Sequence, residues 1–200
     1  AGNLQVDGDF RIGSPVKQSG LYMDMTESRF DFESGAASRT VSMSTNLSFW
    51  NVLEKPSWVS VSPESGEAGE HTLTINVEDN PNTTKREGRV VVGNQGLSLA
   101  DTLWVTQEGK SFGPLETVLQ FENVASSNTL DISTDGDWTV TTSDGWITVA
   151  PSSGHGNGQV TVTVEANETD NERTGLLSVA VGGTVQYVNV VQKGRYFTID

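Results

Sequence analysis

Residues 146–154 read Trp146-Ile147-Thr148-Val149-Ala150-Pro151-Ser152-Ser153-Gly154. Apolar and polar positions alternate and then stop on Pro, Ser and Gly, the pattern of a short strand running into a turn. The same text stands 88 positions earlier as Trp58-Val59-Ser60-Val61-Ser62-Pro63-Glu64-Ser65-Gly66. A pattern written twice makes the chain a tandem duplication.

The match extends outward from these stretches. Trp50-Asn51-Val52 matches Trp138-Thr139-Val140, and Leu73, Ile75 and Val77 match Val160, Val162 and Val164. Asn80, Arg86 and Gly88 match Asn167, Arg173 and Gly175. Val105-Thr106-Gln107-Glu108-Gly109 matches Val190-Val191-Gln192-Lys193-Gly194, so the offset drifts only from 88 to 85. Its changes fall in turns, where length varies at little cost.

Each copy reads as about seven strands. In the second they are expected near 117–122, 127–133, 137–142, 146–150, 159–166, 175–181 and 184–191. Val160, Val162 and Val164 alternate with Thr161, Thr163 and Glu165, which buries one face and wets the other, as two sheets packed face to face require. No window carries helical spacing. The fold class expected is therefore all-β: two tandem immunoglobulin-like antiparallel sandwiches, over 21–109 and 111–194. Residues 1–20 read as a leader or an added strand around Leu4 to Phe10. Glu108-Gly109-Lys110-Ser111 is too short a joint for free tumbling, so a semi-rigid rod is expected. Gly194-Arg195-Tyr196-Phe197 echoes Gly109-Lys110-Ser111-Phe112, as if a third repeat began at 195–200.

Composition narrows the function classes. The chain is 34 % hydrophobic, and its 21 glycines in 200 residues raise that to about 44 %, enough for real cores. A net charge of −14, from 12 basic and 26 acidic residues, argues against nucleic acid and anionic membranes. No cysteine is present to staple the fold, and no apolar run approaches the ~18 residues of a membrane span. The sequence opens on Ala1 rather than Met, as a processed, exported chain would.

Catalytic inventories are thin. His71 and His155 occupy non-equivalent positions, no cysteine nucleophile exists, and no serine carries a triad signature. Paired carboxylates for glycoside hydrolysis would have to come from acids in turns. Ser153-Gly154-His155-Gly156-Asn157-Gly158 is followed by a strand rather than a helix, so it is not a phosphate loop. Its glycines are expected to supply positive φ in a turn. Asp135-Gly136-Asp137 and Asn167-Glu168-Thr169-Asp170-Asn171-Glu172 hold oxygens suited to calcium but lack the spacing of a twelve-residue calcium loop. Turn chemistry explains them equally well. No cofactor is therefore expected, with calcium the one alternative.

The tryptophans carry more information. Trp50, Trp58, Trp138 and Trp146 recur at equivalent positions and are expected in the two cores. Trp104 aligns with Asn189 and points away from the inward Leu103 and Val105; Phe49 aligns with Asp137. An outward Trp104 and Phe49 in one copy only read as a sugar platform, a contact with the neighbouring domain, or the landing site for residues 1–20. Arg86 and Arg173 precede a strand in both copies and are expected to anchor the Asn-rich turn through its carbonyls.

The order Trp-x-Val, Trp-[Val/Ile]-x-Val-x-Pro-x-Ser-Gly, Asn-x5-Arg-x-Gly segment and closing Val-x-Gln resembles BACON domains, the Bacteroidetes-associated, often N-terminal modules proposed to bind carbohydrate. The resemblance covers 21–109 and 111–194. It implies a non-catalytic, extracytoplasmic module of a bacterial glycan-handling protein, either anchored at the cell surface through a removed N-terminus or secreted. The implied partners are a polysaccharide or glycoconjugate and further domains of the same polypeptide, with the chain itself a monomer. A structural spacer or adhesion stalk is the alternative reading, and a hydrolase the remote one. The loops Glu67-Ala68-Gly69-Glu70 and His155-Gly156-Asn157-Gly158 differ, so a ligand held there would differ between copies.

Overall fold

The computed structural model describes residues 20–113 and 115–195. The leader or strand read over 1–20 and the third repeat read from 195 fall, except for Gly20 and Arg195, outside the described residues.

The first half forms β1 (Met23–Met25), β2 (Arg29–Phe32), β3 (Ala37–Thr45), β4 (Trp50–Glu54), β5 (Val59–Ser62), β6 (Ser65–Gly66), β7 (Gly69–Val77), β8 (Arg86–Asn94) and β9 (Leu99–Gln107). The second forms β10 (Val118–Phe121), β11 (Ser126–Ile132), β12 (Asp137–Thr142), β13 (Ile147–Ala150), β14 (Ser153–His155), β15 (Gly158–Val164), β16 (Arg173–Val181) and β17 (Thr184–Gln192). Among the described residues one 3₁₀ turn, Gln95–Leu97, sits in the β8–β9 hairpin. Each half is a sandwich. Sheets ordered β1-β3-β7-β5 and β2-β9-β8-β4-β6 make the first, and β11-β15-β13 and β10-β17-β16-β12-β14 the second.

The seven strands expected in the second copy are all present, and β14 is added to them. The sheets are not wholly antiparallel, because β2 pairs parallel with β9 and β10 with β17. First and last strands run the same way when a domain takes its chain in at one pole and releases it at the other. The two cores are built alike, on Trp50, Leu73, Ile75, Val90, Leu103 and Val105 in one and Trp138, Val160, Val162, Leu177, Val188 and Val190 in the other.

The Pro-Ser-Gly turn differs from expectation. Ser62–Pro63 and Ala150–Pro151 are cis, and the residues after them form the short strands β6 and β14, paired to β4 and β12. Of the glycines in 153–158 only Gly156 has positive φ, at 69°. Gly154 and Gly158 serve a different purpose. A Cβ on either would stand 2.4 or 2.6 Å from Trp138 Cζ2, and one on Gly66 would stand 2.8 Å from Trp50 Cζ2. The glycines make the slot in which each buried indole lies. Its Nε1 then donates to a loop carbonyl, Glu67 O at 3.1 Å for Trp50 and Gly156 O at 2.9 Å for Trp138.

Trp58 and Trp146 also depart from the core reading. They are half-buried at the edge of the cores, beneath Arg86 and Arg173, whose guanidinium carbons lie 4.4 and 4.1 Å from the ring centroids. Each arginine donates to a carbonyl leading into the Asn turn, Glu78 O or Glu165 O at 2.7 Å. Its Nε reaches Gln107 Oε1 or Gln192 Oε1 at 2.9 Å. The glutamine amide donates in turn to three carbonyls, Ser34, Gly35 and Glu78 in one copy and Glu122, Val124 and Glu165 in the other. The Trp, Arg and closing Gln of the motif are thus one network, and Arg86 and Arg173 belong to the scaffold.

The joint is dovetailed. Asp135 accepts from Ser34 Oγ at 2.5 Å and Ser111 Oγ at 2.7 Å, and Lys110 pairs with Asp79 at 2.7 Å. Thr83 meets Thr184 hydroxyl to hydroxyl, and Thr83 N–H donates to Gly182 O at 3.4 Å. Burial acts to raise the Asp135 carboxyl, but the hydrogen bonds from Ser34 and Ser111 outweigh it and hold the group at about 2. A depressed carboxyl contributes above the unfolded value of about 3.9 and loses its contribution as pH falls through about 2. The joint is therefore expected to hold one geometry across the neutral range. Asp135→Ala should loosen it, raising the rate of proteolysis across 108–111 while each sandwich keeps its own unfolding transition. An unchanged rate would show that the remaining contacts suffice.

Candidate functional site

Alternation along β9 buries Leu103 and Val105 and turns Trp104 outward with 47 % of its surface exposed. Pairing then decides its neighbours. Arg89 on β8 stands opposite Trp104 on one side and Arg29 on β2 on the other. Trp104 therefore stands between two arginines in a single row across the sheet.

Neither guanidinium is left as a bare charge. Arg89 is clamped by Glu54, Nε to Oε1 at 2.9 Å and Nη2 to Oε2 at 2.8 Å. Arg29 Nε donates to Asp31 Oδ1 at 2.9 Å and its Nη2 to Thr106 Oγ1 at 2.7 Å. The Thr106 hydroxyl donates to the same Asp31 oxygen at 2.6 Å. Hydrogen bonds from Thr106 and then Arg29 hold the Asp31 carboxyl below its usual value, and the Arg89 clamp lowers Glu54 and raises Arg89. The result is an aromatic strip bordered by fixed charge-assisted pairs. Trp104 Nε1 has no hydrogen-bond partner among the described residues, unlike the buried Trp50 and Trp138 indoles.

Phe49 lies elsewhere. It is half exposed and sits where β4 begins, its carbonyl accepting from Asn94 Nδ2 at 2.9 Å at the end of the β8–β9 hairpin. Arg89, level with Trp104, is five residues from Asn94 along β8, about 17 Å of strand. Trp104 and Phe49 therefore do not share a site. Arg29, Asp31, Glu54 and Arg89 were not singled out in the sequence. Their outward phase is readable beside Phe30 and Val90, but their convergence on Trp104 needs the register of β2 on β9.

The second copy has a different outward face on the same sheet. Asn189 replaces Trp104, between Val118 and Leu176, and the aromatic residue is Tyr187, two positions earlier and exposed. Several of the groups weighed as calcium ligands make other contacts. Asp135 serves the joint, Asp137 pairs with His155 at 2.8 Å, and the Asn167 amide donates to the Asn171 and Lys193 carbonyls. Among the described residues no group of three or more His, Cys, Asp or Glu side chains is gathered as metal ligands. No helix among them is long and apolar enough to cross a membrane.

Comparison with known proteins agrees with the repeat. Residues 48–108 match the BACON family model, described as a candidate N-terminal binding domain, and residues 114–195 match the model described as a viral BACON domain. A xyloglucan-specific endo-β-1,4-glucanase of Bacteroides ovatus is 32 % identical over 78 residues, which are 39 % of this chain and 16 % of that enzyme. The chain thus spans about a sixth of that relative's length. The solved Bacteroides ovatus GH5 xyloglucanase, in complex with a XXXG heptasaccharide, is similar at 30 % identity and a TM-score of 0.40, over 44 % of this chain and 19 % of that one. Titin domains I67–I69 give a TM-score of 0.34 at 7 % identity, over 88 % of this chain and 66 % of theirs. The chain belongs to the BACON family, with two domains in tandem.

Proposed function

We propose that the chain is a non-catalytic, carbohydrate-binding part of an extracytoplasmic bacterial glycan-handling protein, and that Trp104 is its sugar platform. The observation that carries this reading is the exposed Trp104 standing in register between Arg29 and Arg89, each hydrogen-bonded to a carboxylate. An aromatic face takes the C–H face of a pyranose, and pre-paired polar groups beside it meet hydroxyls without further loss of side-chain freedom. The similarity to a xyloglucan-specific enzyme of Bacteroides ovatus makes β-1,4-glucans the first ligands to test. The share of that enzyme matched, 16 %, suits an accessory region rather than a whole catalyst. Phe49, at the start of β4 and apart from the Trp104 strip, would be a separate contact.

The test is calorimetric titration with xyloglucan and cello-oligosaccharides, backed by a glycan array. Wild type should bind, and Trp104→Ala should weaken binding at least about tenfold with unchanged unfolding. Undiminished binding by the variant removes Trp104 from the site.

The dovetailed joint at Asp135, Ser34 and Ser111 favours a second reading, a spacer that holds another domain at a fixed distance. Absence of binding to every glycan by wild type would leave that reading standing.

A further inference from the structure

We infer that the Trp104 strip selects uncharged glycans and rejects acidic ones, and that Glu54 and Asp31 impose the choice. The inference rests on the reading of Trp104 as a glycan platform and goes further by naming the charge class of the ligand.

Two arginines beside an aromatic ring would ordinarily suit a uronate or a sulfate, because a free guanidinium fork matches a planar or tetrahedral anion. Here the side-on fork of each, Nε with Nη2, is already taken, and a carboxylate stands beside the remaining Nη1. Arg89 presents Nε and Nη2 to Glu54, and Arg29 presents the same pair of nitrogens to Asp31 and Thr106. The two arginines beside Trp104 are each matched by a carboxylate, Glu54 and Asp31, and Glu87 stands opposite Thr106 on β8, so the face carries no excess of positive charge, in a chain whose net charge is −14. A polyanion would meet long-range repulsion from the protein and, on arrival, two carboxylates holding the geometry it needs. Both carboxyls lie below their ordinary values, so the pairs stay ionised throughout the neutral and mildly acidic range.

The valences left over suit a different ligand. Arg29 Nη1, Arg89 Nη1 and Asp31 Oδ2 have no partner among the described residues. Donors and an acceptor thus lie around one aromatic face. A sugar hydroxyl both donates and accepts, whereas a carboxylate or sulfate only accepts. The strip matches the hydroxyl.

Calorimetry on the 200-residue chain decides it, with xyloglucan and glucomannan oligosaccharides as neutral probes and polygalacturonate and alginate oligosaccharides as acidic ones. Wild type should bind a neutral probe with an affinity indifferent to salt, and no acidic probe. Glu54→Gln and Asp31→Asn each release one guanidinium and should raise affinity for an acidic probe at low salt by about tenfold or more, a gain erased by high salt. Preference of wild type for acidic probes would overturn the inference while leaving Trp104 as a platform. So would neutral binding with no acidic gain in either variant, since the carboxylates would then not set the selectivity. If neither class binds wild type or any variant, the platform reading itself fails and takes the inference with it.

Discussion

Gln192→Leu is expected to destabilise the second sandwich by about 3–5 kcal/mol while leaving the first unchanged. The side chain is fully buried. Its amide donates to the carbonyls of Glu122, Val124 and Glu165, and its oxygen accepts from Arg173 Nε. Leucine fills similar volume, so packing is conserved and the loss falls on hydrogen bonds. Each buried group left without a partner costs about 1–3 kcal/mol, and water reaching the edge of the cluster recovers only part of it. Set against a domain stability of about 5–15 kcal/mol, the change removes a large share of the margin. Urea unfolding of the whole chain should resolve the two sandwiches, with only the second transition moving. Gln192→Glu separates the causes, because it keeps the Arg173 contact but aims a carboxylate at three carbonyls. It should be at least as damaging as leucine. A mild Gln192→Glu would show that the Arg173 link, and not the carbonyl cluster, carries the stability.

This network explains how much of the fold was legible. Alternation placed the strands of the second copy to within two residues because one face of each sheet is buried and the other wet, and period two cannot serve any other arrangement. The motif residues were legible as a set because they recur. Their roles were not. Trp58 and Trp146 read as core, yet each lies half-buried under an arginine, since nothing in a single strand shows that a residue from a later turn folds over it. The glycines read as turn formers, and two of them are instead space left for Trp138.

The candidate site was half legible for the same reason. Disagreement between the copies exposed Trp104 against Asn189, because a residue demanded by the shared core would have matched. Arg29 and Arg89 are 75 and 15 positions from Trp104 in the chain, and they meet it only through strand register. The acidic turn at Asp135 is similar. It looked like turn chemistry or a cation site, and it holds the joint because Ser34 of the other sandwich reaches it.

Gly154→Ala is expected to cost the second sandwich about 1–3 kcal/mol, the range for one extra methyl group in a packed interior. The methyl would stand 2.4 Å from Trp138 Cζ2 and 2.7 Å from Cε2, well inside contact distance. The indole cannot retreat, since it is 3 % exposed and its Nε1 is tied to Gly156 O. The β14 backbone cannot retreat without breaking its pairing with β12, where Trp138 stands opposite Gly154 itself. The strain should therefore depend on the second ring of the indole. Trp138→Phe removes that ring, opens a cavity and destabilises by itself. In the double variant the added methyl occupies part of the vacated space, so Gly154→Ala should cost much less on Trp138→Phe than on wild type. A double-mutant cycle followed by urea unfolding measures this coupling. Additive losses would mean that the glycine is needed for its backbone and not for the slot. The equivalent Gly66→Ala should be the milder of the two, because its methyl would lie 2.8 Å from Trp50 Cζ2, so the two copies rank the effect by distance alone.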